Sequence, residues 1–507
     1  CLNNEGNVLK IYGSLGSSYV VDTTALLPGN AFVNGGRFEL VAQIIISSGS
    51  RLTIGAGAEV RFSDANKYIQ VSGTLRAIGT PTDSIRFIGS NPNPAIYGDK
   101  IYFKPQSSGI ISHAVIERLG NQYALQIESS AVVIEKTRIT DCKQYGIILI
   151  TAGISPVIRN NRIEQCGTYG IFNNSTGSKP MVTNNIFSNN TNGDIWSNPW
   201  ALGGYSDNVG DVIHMTTATI NNDTTLLWSN HVFVDGGRFR LGSSVTIGSG
   251  SKLTIEAGVE VQFPSLNSRI EVQGTLKALG SATDSIRFIG IDSNPANHGG
   301  FVRFAPQSSD SEVRYAIFQK LGDASSTYDA TLVIESSGVV IEKANIIDSE
   351  VYGLLVSGNA SPKLSHIEIK NLTNQAVRVI SGNPEFRNCD FENCAYGALV
   401  LGGFPKFMHC TIQNNTSFGI NNTGGGIVDA RSCWWGSDTG PLHTGTNPTG
   451  QGNKISNRVW YNPWIRKDLK TLVIGGTNLD TLAANISGHY LLEIPDSLDG
   501  ISLRIRL

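Results

Sequence analysis

The amino-acid sequence predicts an all-β chain made of tandem right-handed parallel β-helices, solenoids of 21–24 residues per coil, with a short C-terminal β segment. Three observations carry that expectation. A phrase near the start returns about 200 residues later, a finer period of 21–24 residues runs inside each half, and the composition is that of turns and short strands. Gly supplies 56 of 507 residues, about 11% against a usual ~7%, while charged residues are only 16%. Long amphipathic helices do not fit such a chain.

Internal repetition sets the architecture. The stretch from Asp22 to Phe38, DTTALLPGNAFVNGGRF, aligns with DTTLLWSNHVFVDGGRF from Asp223 at an offset of 201. The same offset relates Leu52-Thr53-Ile54 to Leu253-Thr254-Ile255, Thr82–Gly89 to Thr283–Gly290, and Pro105-Gln106-Ser107-Ser108 to Pro306-Gln307-Ser308-Ser309. It drifts to 207 at Ile127-Glu128-Ser129-Ser130 and Ile334-Glu335-Ser336-Ser337. The chain therefore divides into a tether or cap (1–21), a first β-helix (22–200), a joint (201–222), a second β-helix (223–465) and a C-terminal β segment (466–507).

The finer period sets the coil. Tyr145-Gly146 and Tyr169-Gly170 lie 24 apart, as do Pro156 and Pro180, and Asn160-Asn161 and Asn184-Asn185. Pro362, Pro384 and Pro405 follow at 22 and 21. Short alternating segments between Gly, Asn and Pro give three strands per coil. Stacked coils about 4.8 Å apart line up residues of one type into ladders. Asn at the corners suits left-handed backbone, and its amide can bond to the Asn of the next coil.

Cysteine follows the same period. Cys142 and Cys166 are 24 apart, and Cys389, Cys410 and Cys433 follow at 21 and 23. Each set is expected to stack, either as a ladder of small buried thiols or as a disulfide between neighbouring coils. No CxxC pair occurs, and a zinc site is not expected. Aromatic residues gather where the two helices close: Trp196, Asn198-Pro199-Trp200, then Cys433-Trp434-Trp435-Gly436, Trp460 and Asn462-Pro463-Trp464. They read as caps over exposed core ends, with sugar stacking on Trp434, Trp435 or Trp460 as the alternative.

Bulk properties narrow the function. With 39 basic and 41 acidic residues and no basic block, the chain has no electrostatic footprint for nucleic acid. No stretch reaches the roughly 18 apolar residues of a membrane span. The sequence opens on Cys1, one of only 7 cysteines, before the polar stretch 2–6. A lipidated cysteine would hold the chain on a membrane by its acyl chains, and a processing boundary is the other reading.

Several phrases resemble known families. LTIGAGAEVRF, IQVSGTLRAIGT and DSIRFIG resemble the opening coils of bacterial surface proteins with parallel β-helix repeats. NNRIEQCGTYGIFNN and NCDFENCAYGALV resemble the pectin-lyase-like repeat, and CWWGSDTGP with the later NPW resembles a final coil of such secreted proteins. The segment 466–507 resembles the first strands of a pre-peptidase C-terminal domain. Together these imply a secreted or surface β-helix without naming a reaction.

The enzymatic branch of that resemblance can be tested on residues. A polygalacturonase-like site needs NTD, DD, GHG and RIK on successive coils, and an epimerase-like site needs DPHE; none occurs. His366 with Glu368, His409 with Glu392, and Asp83 with Arg86 or Asp284 with Arg287 are the remaining candidates, each matched by a plain surface or turn role. The expectation is a non-catalytic, cofactor-free lipoprotein of the bacterial cell envelope. It would serve as a rigid scaffold, adhesin or assembly subunit with other envelope proteins as partners; the alternatives are a module that binds surface polysaccharide and, behind it, a polysaccharide lyase or hydrolase.

Overall fold

In the computed structural model, the described residues are 8–11, 25–26, 37–40, 42–216, 218–221, 225–227, 238–292, 294, 298–322, 328–349 and 351–466. Cys1, the expected lipidation point, and all but Arg466 of the C-terminal segment lie outside them. Short parallel strands wind round three faces. In the first half, face one runs from Val8–Ile11 through Arg37–Leu40 and Glu59–Phe62 to Ile186–Ser188. Face two runs from Ile44–Ile46 through Tyr145–Leu149 to Gly193–Ser197, and face three from Ala25–Leu26 through Arg51–Ile54 to Tyr205–Ser206. The all-β solenoid expected from the repeats is the fold observed.

Alternation within each strand builds the interior. Arg51–Ile54 exposes Arg51 and buries Leu52 and Ile54, and Glu59–Phe62 buries Val60 and Phe62. Because the strands pair in register, like residues stack: Ile139 sits on Ile163 and then Phe187, and Phe386 on Phe407 with ring centroids 4.7 Å apart. One apolar cluster extends from Phe38 to Val459. It also crosses the expected joint. There, Pro199–Gly204 forms a 3-10 helix, and Val212–Met215 pairs with Gly193–Ser197 on one side and Arg238–Leu241 on the other.

The corners divide labour between adjacent asparagines. Asn160 and Asn184 take left-handed backbone (φ 56° and 55°), which Asn tolerates better than most residues. Their neighbours Asn161 and Asn185 turn inward. Asn161 Nδ2 donates to Asn185 Oδ1 at 3.0 Å, and Asn185 Nδ2 donates to Asn208 Oδ1 at 3.0 Å. Each amide also serves backbone: Asn185 Oδ1 accepts the Asn161 N–H, and Asn185 Nδ2 reaches Ile158 O at 2.9 Å. In the second half, Asn415 and Asn453 repeat the arrangement.

Among the described residues the cysteines form buried ladders and no bridge. Cys142, Cys166, Cys389, Cys410 and Cys433 are free thiols inside the core, so the disulfide alternative is set aside; Cys394, absent from the expected sets, is buried with them. Burial pushes the Cys389 and Cys410 thiols well above their usual range and Cys394 up to about 11. For Cys142, the hydrogen bond with Cys166 acts first and burial second, again upward. These thiols are held protonated and unreactive.

Two outcomes follow from this packing. Losing the partner of a buried polar group costs about 1–3 kcal/mol, and Asn185→Ala strands at least two backbone groups, so unfolding free energy should fall by about 2–5 kcal/mol. An unchanged guanidinium midpoint would defeat the amide-ladder account. Peptide mapping after alkylation should find Cys142, Cys166, Cys389, Cys394, Cys410 and Cys433 unmodified in the native protein and fully modified in denaturant. A linked peptide pair under non-reducing conditions would contradict the free-thiol assignment.

Candidate functional site

The outer side of face two carries the most unusual surface of the first half. Its strands bury Ile147, Leu149, Ile171 and Ile195; alternation turns the position after Ile171 and Ile195 outward, and Tyr145 and Tyr169 break the alternation to lie outside the core, each before a Gly packed against it. In-register pairing stacks these into two rows. The first is Tyr123, Tyr145 and Tyr169, with centroids 6.4 and 6.3 Å apart along the row. The second is Phe172, Trp196 and His214, at 5.8 and 5.7 Å, in near-parallel stacks. The rows interlock, Tyr145 lying 4.9 Å from Phe172 and Tyr169 5.4 Å from Trp196. Below them Lys100 caps the Tyr123 ring at 4.9 Å.

Trp196 therefore belongs to an outward ladder and does not cap the first helix, as the sequence suggested. Trp200 does pack against the core. The spacing of Tyr145 and Tyr169 by one coil was the available signal for the ladder. What hid it was the second row, because Ile171-Phe172 and Ile195-Trp196 read as apolar pairs without saying which member faces out.

The upper end of the ladder is closed by polar contacts. Arg240 Nη1 lies 3.3 Å from His214 Nε2, and Tyr169 Oη lies 3.2 Å from His214 Nδ1. A guanidinium can only donate, so Nε2 accepts and Nδ1–H points to the tyrosine oxygen. Beside it, Asp194 and Asp211 border a cleft of about 350 Å³. Both carboxylates are engaged: Asp194 accepts from Asn190 Nδ2 at 3.0 Å and from the Asp211 backbone N–H at 2.7 Å, and Asp211 pairs with Arg238 at 2.5 Å. Burial raises the Asp194 carboxyl above its usual range, the two hydrogen bonds notwithstanding. Asp194 thus clamps the turn into Val212–Met215.

The three tryptophans singled out in sequence separate. Trp434 is closed off, its indole N–H donating to Gln413 Oε1 at 2.9 Å, and Trp435 is wholly inside the core. Neither can stack on a sugar, which corrects that expectation; the tight final coil buries Trp435 in the core and covers Trp434 beside Gln413. Trp460 is 52% exposed. It borders a cleft of about 630 Å³ with Arg431, His443, Arg458 and Tyr461. Arg431 stands 5.5 Å over the Trp460 ring while paired to Asp429 at 2.7 Å.

The weaker candidates resolve as corner chemistry. His366 and His409 sit at left-handed corners (φ 52° and 55°), and Glu368 and Glu392 both turn to Lys370, at 3.6 and 3.8 Å. Asp83 and Asp284 close turns through Thr80 and Ser281, while Arg86 and Arg287 reach Glu59 and Glu260. Among the described residues, no cluster of three or more His, Cys, Asp or Glu is arranged to hold a metal.

The family model for a right-handed β-helix region matches residues 87–224 and 307–459, together more than half of the chain. The chain belongs to that family. No curated protein matches this β-helix protein. Among solved structures it is similar to a tailspike of Escherichia coli bacteriophage HK620 in complex with pentasaccharide, at 12% identity and a TM-score of 0.23, covering 76% of this chain and 71% of the tailspike. It is also similar to the catalytic unit of a GH87 α-1,3-glucanase from Streptomyces thermodiastaticus, at 12% identity and a TM-score of 0.16, covering 85% of this chain and 62% of the glucanase. At such scores the chains do not superpose as wholes.

Within this β-helix protein, burial first and the neighbouring Arg240 charge second lower the His214 pKa from its ordinary 6.5 to about 4. The folded ring stays neutral where the unfolded ring takes a proton. Its contribution to stability is therefore whole above pH 6.5 and is lost as pH falls toward 4. Imidazole NMR should show His214 unprotonated at pH 5; titration near 6.5 would overturn the buried, arginine-flanked assignment.

Proposed function

We propose that this protein is a non-catalytic polysaccharide-binding rod of the bacterial cell envelope. The carrying observation is the outward ladder of the part-exposed rings Tyr123, Tyr145, Phe172 and Trp196, repeated coil by coil and packed around the buried ring of Tyr169. Aromatic faces attract the C–H faces of sugar rings, and a row of them along a stiff axis offers one platform after another to a polymer. Polar groups at the margins supply hydrogen bonds: Tyr102, Glu128 and Gln126 at one end, His214 and Arg240 at the other. The exposed Trp460 cleft offers a shorter platform at the final coil.

The reading as a binder, rather than a cleaving enzyme, is supported by the occupancy of Glu128, Asp194 and Asp211 beside the ladder. Glu128 accepts from Tyr102 Oη and Gln126 Nε2, and Asp194 and Asp211 hold a turn and Arg238. An acid and base pair for glycoside hydrolysis needs two carboxyl groups free to face the scissile bond. The envelope location rests on the resemblance of the opening coils to bacterial surface proteins. A continuous core along the axis supports a stiff spacer role in the same setting.

Binding to a panel of immobilised polysaccharides tests this reading. The double variant Tyr145→Ala/Phe172→Ala should raise Kd by roughly tenfold, about 1.4 kcal/mol, while far-UV circular dichroism stays unchanged. Undiminished binding by a folded variant would remove the ladder from the function. Release of reducing ends from any bound polymer would establish an enzyme instead.

A further inference from the structure

The geometry points to a second polysaccharide-binding face on the second copy, turned about one third of a revolution from the first, so that one chain bridges two polymer strands. This rests on the binding function proposed above and extends it. The turn comes from the register at the joint. Val212–Met215, on face two of the first copy, pairs with Arg238–Leu241 through Val212 with Arg238, His214 with Arg240 and Met215 with Leu241. The counterpart of Arg238–Leu241 at the offset of 201 is Arg37–Leu40, a strand of face one. Each is followed on its own sheet by the matching Glu strand, Glu260–Phe263 or Glu59–Phe62. The copies are therefore stacked out of phase by one face, and face two of the second copy cannot continue face two of the first.

That displaced face is the separate sheet that starts at Ala218–Ile220 and passes through Ser244–Ile247 and Tyr352–Val356 to Phe418–Asn422. It has its own outward aromatic rungs. Tyr352, followed by Gly353, is the counterpart of Tyr145-Gly146 at the offset of 207. Tyr396 and Phe418 stack at 6.0 Å with rings 3° from parallel. Cations stand over these rings: the Arg378 guanidinium 4.7 Å from the Tyr352 centroid, Lys454 Nζ 4.5 Å from that of Phe418. Among the described residues neither cation has a carboxylate in ion-pair contact. Aromatic rungs interleaved with such cations suit an acidic polysaccharide, its rings on Tyr352, Tyr396 and Phe418 and its carboxylates toward Arg378 and Lys454.

The experiment uses the full chain with sodium polygalacturonate as acidic probe and dextran as neutral probe. It reads binding to immobilised polymer and, separately, cross-linking of dissolved polymer by light scattering. The wild type is expected to bind and cross-link polygalacturonate. Tyr145→Ala/Phe172→Ala and Tyr396→Ala/Phe418→Ala should each retain binding within about tenfold yet lose cross-linking, and the quadruple variant should lose both. Arg378→Gln, a milder change should the double variants unfold, should weaken cross-linking of polygalacturonate at least threefold. Cross-linking undiminished in folded Tyr396→Ala/Phe418→Ala would overturn the second face, and would point to bridging through association of chains. Cross-linking of dextran as strong as that of polygalacturonate would overturn its acidic selectivity. If the wild type binds neither polymer nor any other in the panel, the underlying binding function fails, and this inference falls with it; binding without cross-linking sinks the inference alone.

Discussion

Everything in this molecule depends on one constraint: a coil of parallel strands cannot satisfy its own backbone and must hydrogen-bond to the coils above and below. At about 4.8 Å per coil, that requirement leaves no freedom in register. It explains why corners recur with left-handed residues, and why an asparagine follows them to carry the bonding through the bend at Asn161, Asn185 and Asn208. It also explains the glycine in Tyr-Gly. A Cβ on Gly146 would stand 2.7 Å from Gly170 O, and one on Gly170 would stand 2.9 Å from Asp194 O, so any larger residue would pry neighbouring coils apart.

Enforced register has an external consequence as well. Whatever a strand presents outward is repeated one coil later at a fixed distance, so a surface row is as ordered as a core row. On face two the outward row passes from Gln126 and Ile148 to the rings of Phe172, Trp196 and His214, and beside it the Tyr row stacks likewise, so that neighbouring rings brace one another. Such rings lose little freedom when a ligand settles on them, since their rotamers are already fixed by stacking. The ladder is thus preorganised by the same pairing that builds the core. The His214 and Arg240 end shows what happens where an aromatic row meets charge: the imidazole is kept neutral so that it can accept from the guanidinium.

The parts of this structure legible in sequence are those that the coil period dictates. Asn184-Asn185, Cys142 with Cys166, and Cys389 with Cys410 and Cys433 recur at one-coil spacing, and each is a stacked neighbour in the fold. The side of a strand is harder to read when both alternating positions are apolar. Trp434 and Trp435 read as caps or as sugar platforms, and the last coil buries Trp435 in the core and covers Trp434 beside Gln413, whereas Trp196 read as a cap and stands in the ladder. A disulfide and a thiol ladder share the same spacing, so only coordinates separate them. The candidate site was half visible: Tyr145 and Tyr169 announce one row, and the row of Phe172 and Trp196 is masked by Ile171 and Ile195 beside it.

The phase shift between the copies was not legible at all, because aligned repeats carry no record of which face lies above which. Physically it is inexpensive. Across the joint the inward residues are Ile195, Ile213, Phe239 and Val261, all buried and all apolar, so a face-one strand can sit on a face-two strand without leaving a polar group inside. The three faces share one inward chemistry, and the core is indifferent to their order. The outward residues are not interchangeable. Stacking face one of the second copy on face two of the first ends the aromatic row at His214 and begins a row of Arg240 and Gln262. A duplication that leaves the core unchanged has thereby set two like surfaces on different sides of one rod.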